Sequence, residues 1–229
     1  SNPTGDIYSN DCVERLASIS LDNDFTVLWD NAYSVHDFDE SFPLKNIFTV
    51  ADEIGTTNSI VAFASTSKIT FAGGGIGFIG MSEKKLEEFL THYASMVIGP
   101  DKINQTRHTK FFSEITSIEE HMRKHALLVK PKFDLVQDWL SKLNYGDWTK
   151  PTGGYFVSFN SPPGLAKEII SLADKAGLKL TKAGSAFPYG VDPEDKNIRI
   201  APTACSLEEV NIAMELFVIC TALATLNSS

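Results

Sequence analysis

Ser59-Ile60-Val61-Ala62-Phe63-Ala64-Ser65-Thr66-Ser67-Lys68 is the stretch that decides how this chain folds. An unbroken apolar run too short for a helix of its own reads as a strand covered on both faces, as in a parallel sheet. The run stops abruptly in three hydroxyls and a lysine. Phe25-Thr26-Val27-Leu28-Trp29 is a run of the same kind and ends in Asp30; Ile76-Gly77-Phe78-Ile79 is a third. In open α/β sheets, ligands bind beyond the carboxyl ends of the strands. Asp30 and the segment 65–68 therefore stand where chemistry is expected.

Working outward, Asp11 to Ser20 reads as a helix burying Val13, Leu16 and Ala17. After Ser82, a good N-cap, Leu86, Phe89, Leu90, Tyr93 and Val97 recur at helical spacing until Gly99-Pro100. Ser117-Ile118-Glu119-Glu120 has the form of a capping box and opens a helical stretch to about Leu143, which Pro131 should kink or restart. Tyr155 to Phe159 alternates as a strand does. A helix follows from about Leu165 to Ala176, ended by Gly177, and Leu178-Lys179-Leu180 reads as a short strand. Asn197 to Ala201 is a further strand, and Ser206-Leu207-Glu208-Glu209 is a second capping box that begins the final helix. Helices alternate with strands early and mix with them late. The expected organisation is an α/β domain over 1–108 and a smaller α+β domain over 109–229, hinged on the long helix.

Composition narrows the function. The 29 acidic residues outnumber the 20 basic ones over 229 residues, a formal charge of -9. That balance argues against a nucleic-acid surface, which needs clustered Lys and Arg. The three cysteines, Cys12, Cys205 and Cys220, show no metal spacing and fit buried thiols in a reducing compartment, with the cytoplasm as default. The five histidines read as structural: His121 and His125 are four apart, but no carboxylate completes a zinc motif, and no metal is expected. Val210 to Leu226 is apolar but interrupted by Asn211 and Glu215 and short for a membrane span, so it reads as a core helix. Ser1-Asn2-Pro3-Thr4-Gly5 looks like the middle of a functional turn, which suggests that sequence is missing upstream.

Taken singly, each motif has an ordinary reading. Asn2-Pro3-Thr4-Gly5 is a turn, Asp30-Asn31-Ala32-Tyr33 a helix cap, Lys68 a surface lysine and Arg199 half of an ion pair. Their order is more specific. Asn-Pro-Thr-Gly, a strand ending in Asp-x-x-Tyr, a strand ending in Ser-x-Ser-Lys and a late Arg resemble the class I aminotransferases of fold type I, which depend on pyridoxal 5'-phosphate. The phrase Ser-Lys-Ile-Thr-Phe-Ala-Gly-Gly-Gly looks like an aspartate-aminotransferase branch related to MocR-type proteins. The likeness runs over nearly the whole chain, as the C-terminal half of such an enzyme. Residues 1–108 would be the end of the cofactor-binding large domain with its mainly parallel sheet, and 109–229 the small domain.

That resemblance implies roles. Lys68 would carry the cofactor as a Schiff base and move the substrate's α-proton. Asp30 would face the pyridine nitrogen, Tyr33 and Asn2 the phenolic oxygen, and Ser65 and Ser67 the phosphate. Arg199, with Asn2, would clasp the substrate's α-carboxylate, and charge-assisted bonds of that kind contribute ~1.5–3 kcal/mol each. Amino-acid and 2-oxo-acid substrates and a homodimer are implied too. Two departures stand out. The family's phosphate-gripping Arg is missing from Lys68 to Gly77, where Gly73-Gly74-Gly75 is either a backbone anion cradle or a plain tight turn. Lys102 and Arg107 lie where a cation for a distal carboxylate could sit, but Asp101 to Arg107 reads as a solvated loop. The alternatives are a lyase on the same fold, the cofactor-binding effector domain of a MocR-type regulator, or a half that is inert in isolation.

Overall fold

The computed structural model describes residues 2–21, 25–33, 35–38, 44–71 and 73–228. The chain divides into two compact units: Tyr8–His36 with Glu40–Met122, and Ser1–Ile7 with Asp37–Asp39 and Arg123–Ser229. The line between these units falls within the long helix.

The first unit holds α1 (Asn10–Ile19), β1 (Val27–Asp30), α2 (Ile47–Ile54), β2 (Ile60–Ser65), β3 (Gly77–Met81), α3 (Glu83–Met96) and α4 (Lys102–Phe111), and α5 (Ile115–Leu140) begins in it. β1 and β2 pair in parallel and β2 and β3 antiparallel, in the order β1-β2-β3. The connections dictate this. A parallel pair needs a long crossover, which the segment carrying α2 supplies; the short loop from Thr66 to Ile76 returns the chain antiparallel. Val27 and Trp29 share one face with Ile60 and Ala62, against Val13 and Ala17 of α1 and Ile47, Val50 and Ala51 of α2.

The expected cover on both faces is only partial, although Val61, on the face opposite Trp29, is buried. On that same face Leu28 is 69% exposed, and Phe63 and Ile79 are exposed as well, because among the described residues α1 and α2 pack only on the Trp29 side. The face of α3 that carries Leu86 and Leu90 is likewise exposed. Asp101 to Arg107 is not a loop: Asp101 caps α4 by accepting from the N–H groups of Ile103 and Asn104, and Lys102 and Arg107 stand exposed on that helix. Ser82 caps α3 as its position suggests.

Ser117 does not cap α5. The helix starts at Ile115, and the Ser117 hydroxyl donates back to the Glu114 carbonyl. Nor does Pro131 divide the helix, which runs on to Leu140. Pro131 and the turn before it, Leu127, lie exposed, where water can serve the carbonyl that proline deprives of a donor.

The second unit holds most of α5, β4 (Asp147–Trp148), β5 (Val157–Asn160), α6 (Ala166–Lys175), β6 (Asn197–Ile200) and α7 (Leu207–Asn227). The strands form an antiparallel sheet in the order β4-β5-β6. Val157, Phe159, Ile198 and Ile200 face a core completed by Phe133, Val136 and Leu140 of α5, Ile169 of α6 and Phe217 of α7. Phe159 and Phe217 meet edge to face at 5.3 Å. Leu178 and Leu180 pack on this core but join no ladder, so the expected strand there is not formed.

α7 carries the full capping box, Ser206 and Glu209 bonding each other's backbone N–H. It is long and apolar enough to cross a membrane by length and composition. Within its unit it buries Val210, Met214, Phe217, Cys220, Thr221 and Ala224 along one stripe. Burial pushes the Cys220 thiol pKa up, whereas Cys205, in the turn before the cap, is exposed and contradicts the expectation of buried thiols.

Candidate active site

The candidate residues fall into two groups, one on each unit. In the first, the parallel register sets the geometry. Asp30 is the last residue of β1 and lies opposite Phe63 of β2, so Asp30, Phe63 and Ser65 share one face of the sheet at its carboxyl edge. The Asp30 carboxylate accepts from the Ala32 N–H at 3.3 Å, and the Asn31 N–H bonds the Phe63 carbonyl, fixing how the chain leaves the strand. Tyr33 follows in that turn, and the Lys68 Nζ stands 5.1 Å from the centre of its ring.

Lys68 belongs to a single helical turn. The Thr66 carbonyl accepts from the N–H groups of Ile69 and Thr70, and the Thr66 N–H bonds the Ile76 carbonyl across the loop. Before it, the Ser65 hydroxyl donates to Ser67 Oγ at 2.8 Å and accepts from the Ser67 N–H at 3.1 Å. Gly75 is pressed against this turn: a Cβ there would overlap Ser67 Oγ and lie 2.6 Å from Ser67 Cα. Of the glycine run, Gly73 has a positive φ of 74° and the Gly74 N–H is spent on the Phe71 carbonyl, while Ala72 lies outside the described residues.

Helix α4 holds the loop from outside. The Asn104 side-chain amide donates to the Gly74 carbonyl at 2.7 Å. His108, 7% exposed, has Nδ1 at 2.9 Å from the Asn104 carbonyl and Nε2 at 2.9 and 2.8 Å from the hydroxyls of Thr66 and Thr70. His121, from the start of α5, reaches the Ile69 carbonyl with Nε2 at 2.7 Å. A cavity of about 400 Å³ opens beside the turn, lined among others by Asn31, Ser65, Thr66, Phe78 and His108. A reading of the histidines as merely structural misses this arrangement, because no local motif links position 108 to 66 and 70.

In the second unit Asn2 and Arg199, at opposite ends of the sequence, meet. The Arg199 Nη1 donates to Asn2 Oδ1 at 3.0 Å. Strand alternation explains the placement: Ile198 and Ile200 point into the core, so Arg199 must point away from it. The guanidinium lies over Phe156, 4.7 Å from the ring centre, and its buried Nε has no hydrogen-bond partner among the described residues. The opening turn is fitted closely, since Gly5 has a φ of 76° and a Cβ there would lie 2.5 Å from the Phe156 carbonyl oxygen and from Pro151 Cβ. Donors of this kind suit an anion.

An amine, a carboxylate, a phenol and paired hydroxyls thus gather at the carboxyl edge of β1 and β2. The α/β fold is that of fold-type I aminotransferases: the crystal structure of an aspartate transaminase from Corynebacterium glutamicum superposes with a TM-score of 0.90 at 40% identity, covering 98% of this chain and 54% of that one. The chain belongs to the aspartate aminotransferase family, whose profile, described as Aspartate amino-transferase, matches residues 1–229. A Mycolicibacterium smegmatis protein, provisionally named an aminotransferase, is 46% identical over 230 residues, covering 98% of this chain and 54% of that protein. The α-aminoadipate aminotransferase of Thermus thermophilus, solved with N-(5'-phosphopyridoxyl)-L-leucine, shares the fold at 20% identity with a TM-score of 0.86, over 98% of this chain and 57% of that one. The chain thus spans about half the length of the relatives it matches.

Proposed function

We propose that this chain is the C-terminal half of a pyridoxal-phosphate-dependent aminotransferase that moves an amino group between an amino acid, aspartate among them, and a 2-oxo acid. The observation that carries the reading is the convergence of Asp30, Tyr33, Ser65, Ser67 and Lys68 on the carboxyl edge of β1 and β2. When bound, the cofactor supplies an aldehyde that bonds to an amine and a protonated ring that takes up the electrons of a carbanion.

The chain's own residues do the rest. Lys68 would hold the cofactor through its amine and, as a neutral base, would accept the substrate's α-proton. Asp30 would keep the cofactor's ring nitrogen protonated, because a carboxylate beside it favours the charged form. By the family resemblance, Tyr33 and Asn2 would hydrogen-bond the phenolic oxygen. Ser65 and Ser67 serve the phosphate; Ser67, whose oxygen accepts from Ser65, has its own proton to donate. Arg199, oriented by Asn2, takes the substrate's α-carboxylate through a two-pronged contact. Residues 1–108 belong in this reading to the large domain and 109–229 to the small one. The full protein is in this reading a homodimer in the cytoplasm, a compartment that the odd, sparse set of three cysteines in this chain fits.

The test incubates the full-length protein with aspartate and 2-oxoglutarate. Glutamate formed in step with oxaloacetate supports amino transfer. Release of ammonia without glutamate makes the protein a lyase on the same fold, and no turnover with any amino acid refutes both.

A further inference from the structure

We infer that His108 is a positioning residue for Lys68, acting through Thr66 and Thr70; the inference rests on the reading that Lys68 holds the cofactor. The side chain is buried, lies on α4 and bonds the hydroxyls of Thr66 and Thr70, two residues either side of Lys68. Its bonds fix its form. The Nδ1 atom faces the Asn104 carbonyl, which can only accept, so the proton is on Nδ1, and in the neutral ring Nε2 is the acceptor. Thr66 Oγ1 accepts from the Ile76 N–H at 2.8 Å and so turns its own proton to Nε2. Thr70 shares its proton between Nε2 and the Thr66 carbonyl.

These two threonines bracket the turn that carries Lys68, and both are tied to one ring. An i,i+4 pair of hydroxyls on a lone turn is a weak anchor by itself. Joined to a buried acceptor on a capped helix, it cannot rotate without leaving polar groups unsatisfied. His121 adds a second tie at the Ile69 carbonyl, immediately after the lysine. Edge-on contacts of Phe71 with His108 and Phe111 hold the far end of the loop against the same helix. The side chain of Lys68 is long and exposed, so a fixed backbone is what limits where its amine can reach.

The test uses the full-length protein and three substitutions. His108→Leu removes all three polar contacts. Asn restores only the Nδ1-like donor to the Asn104 carbonyl. Gln can reach the position of Nε2 with an acceptor. We expect His108→Leu and His108→Asn to lower kcat at least tenfold while KM for the amino acid stays within twofold, and His108→Gln to recover to within threefold of the parent. Amide hydrogen exchange, read without cofactor, should rise at least tenfold at Ile69, Thr70 and Ile76 in the Leu and Asn variants and not in Gln. If His108→Leu does not fold, Thr70→Val and Thr66→Val are read in its place and should show the same split. Unchanged exchange and kcat in these variants overturn the proposal, as does a Gln variant no better than Asn. Failure of the underlying reading looks different: Lys68→Ala would then keep the cofactor's visible absorbance and full turnover, whatever the variants at 108 do.

Discussion

Replacing Gly75 by Ala tests whether the loop and the lysine turn are one rigid piece. The new Cβ would overlap Ser67 Oγ, and it would sit 2.6 Å from Ser67 Cα and 2.8 Å from its backbone N. Rotation of the serine relieves only the first contact. Restoring ordinary separation from the backbone requires the two segments to part by about 0.8 Å. They cannot part freely, because the Thr66 N–H to Ile76 carbonyl bond of 2.9 Å and the Ile76 N–H to Thr66 Oγ1 bond of 2.8 Å lie directly beside the contact. Overpacking of this kind costs about 1–3 kcal/mol, and a displacement approaching ~1 Å near reacting atoms can lower turnover up to ~100-fold. Denaturant unfolding and steady-state turnover of the full-length protein measure both. Adding Ser67→Gly should not restore turnover, since Cα and N remain in the way. Turnover and stability near parental values in Gly75→Ala, or full rescue by Ser67→Gly, would refute the reasoning.

Other substitutions probe the second unit. Arg199→Lys keeps the charge but loses the fork that bonds Asn2, and should raise KM for α-carboxylate substrates by about 10- to 100-fold with a much smaller change in kcat. Gly5→Ala meets the Phe156 carbonyl at a φ that side chains rarely adopt, and should destabilise by about 1–3 kcal/mol in denaturant unfolding. Asp192 gives a pH signature. Burial pushes its carboxyl up, but the N–H groups of Asn197, Lys196 and Glu194 outweigh this and hold it below the ordinary aspartate value. A depressed carboxyl contributes stability that is present above its unfolded pKa and lost as pH falls through the folded one. The stability gap between the parent and Asp192→Asn should therefore be constant near neutrality and shrink below about pH 4. A gap that grows in acid would contradict the assignment.

Much of this was written in short-range pattern. The strands β1 to β3 declare themselves as apolar runs, and the polar residues that end two of them are the candidate site. Ser82 and the pair Ser206 and Glu209 announce their helices because a cap is a local event. What escaped depends on distance or on competition. α2 has only eight residues, and its buried Ile47, Val50 and Ala51 do not distinguish a short helix from a strand. α4 buries only His108, so its polar sequence resembles a loop, and Asp101 as its cap was the available signal. Ser117 fits the capping pattern yet lies within the first turn of α5, because the pattern does not say where the helix began. The tie between His108 and the lysine turn joins residues about forty apart. Only the spacing of Asn104 and His108, and of Thr66 and Thr70, each four residues, hints that two polar faces could meet.

The central claim is chemical: one amine, at position 68, bonds the cofactor. Borohydride reduction of the full-length protein loaded with pyridoxal phosphate fixes any such bond permanently, and digestion with mass spectrometry then locates it. The account predicts a pyridoxyl group on the peptide spanning Ser65 to Ile69, at Lys68 and in stoichiometric amount. A label on another lysine, or none on a protein that still transfers amino groups, would contradict it.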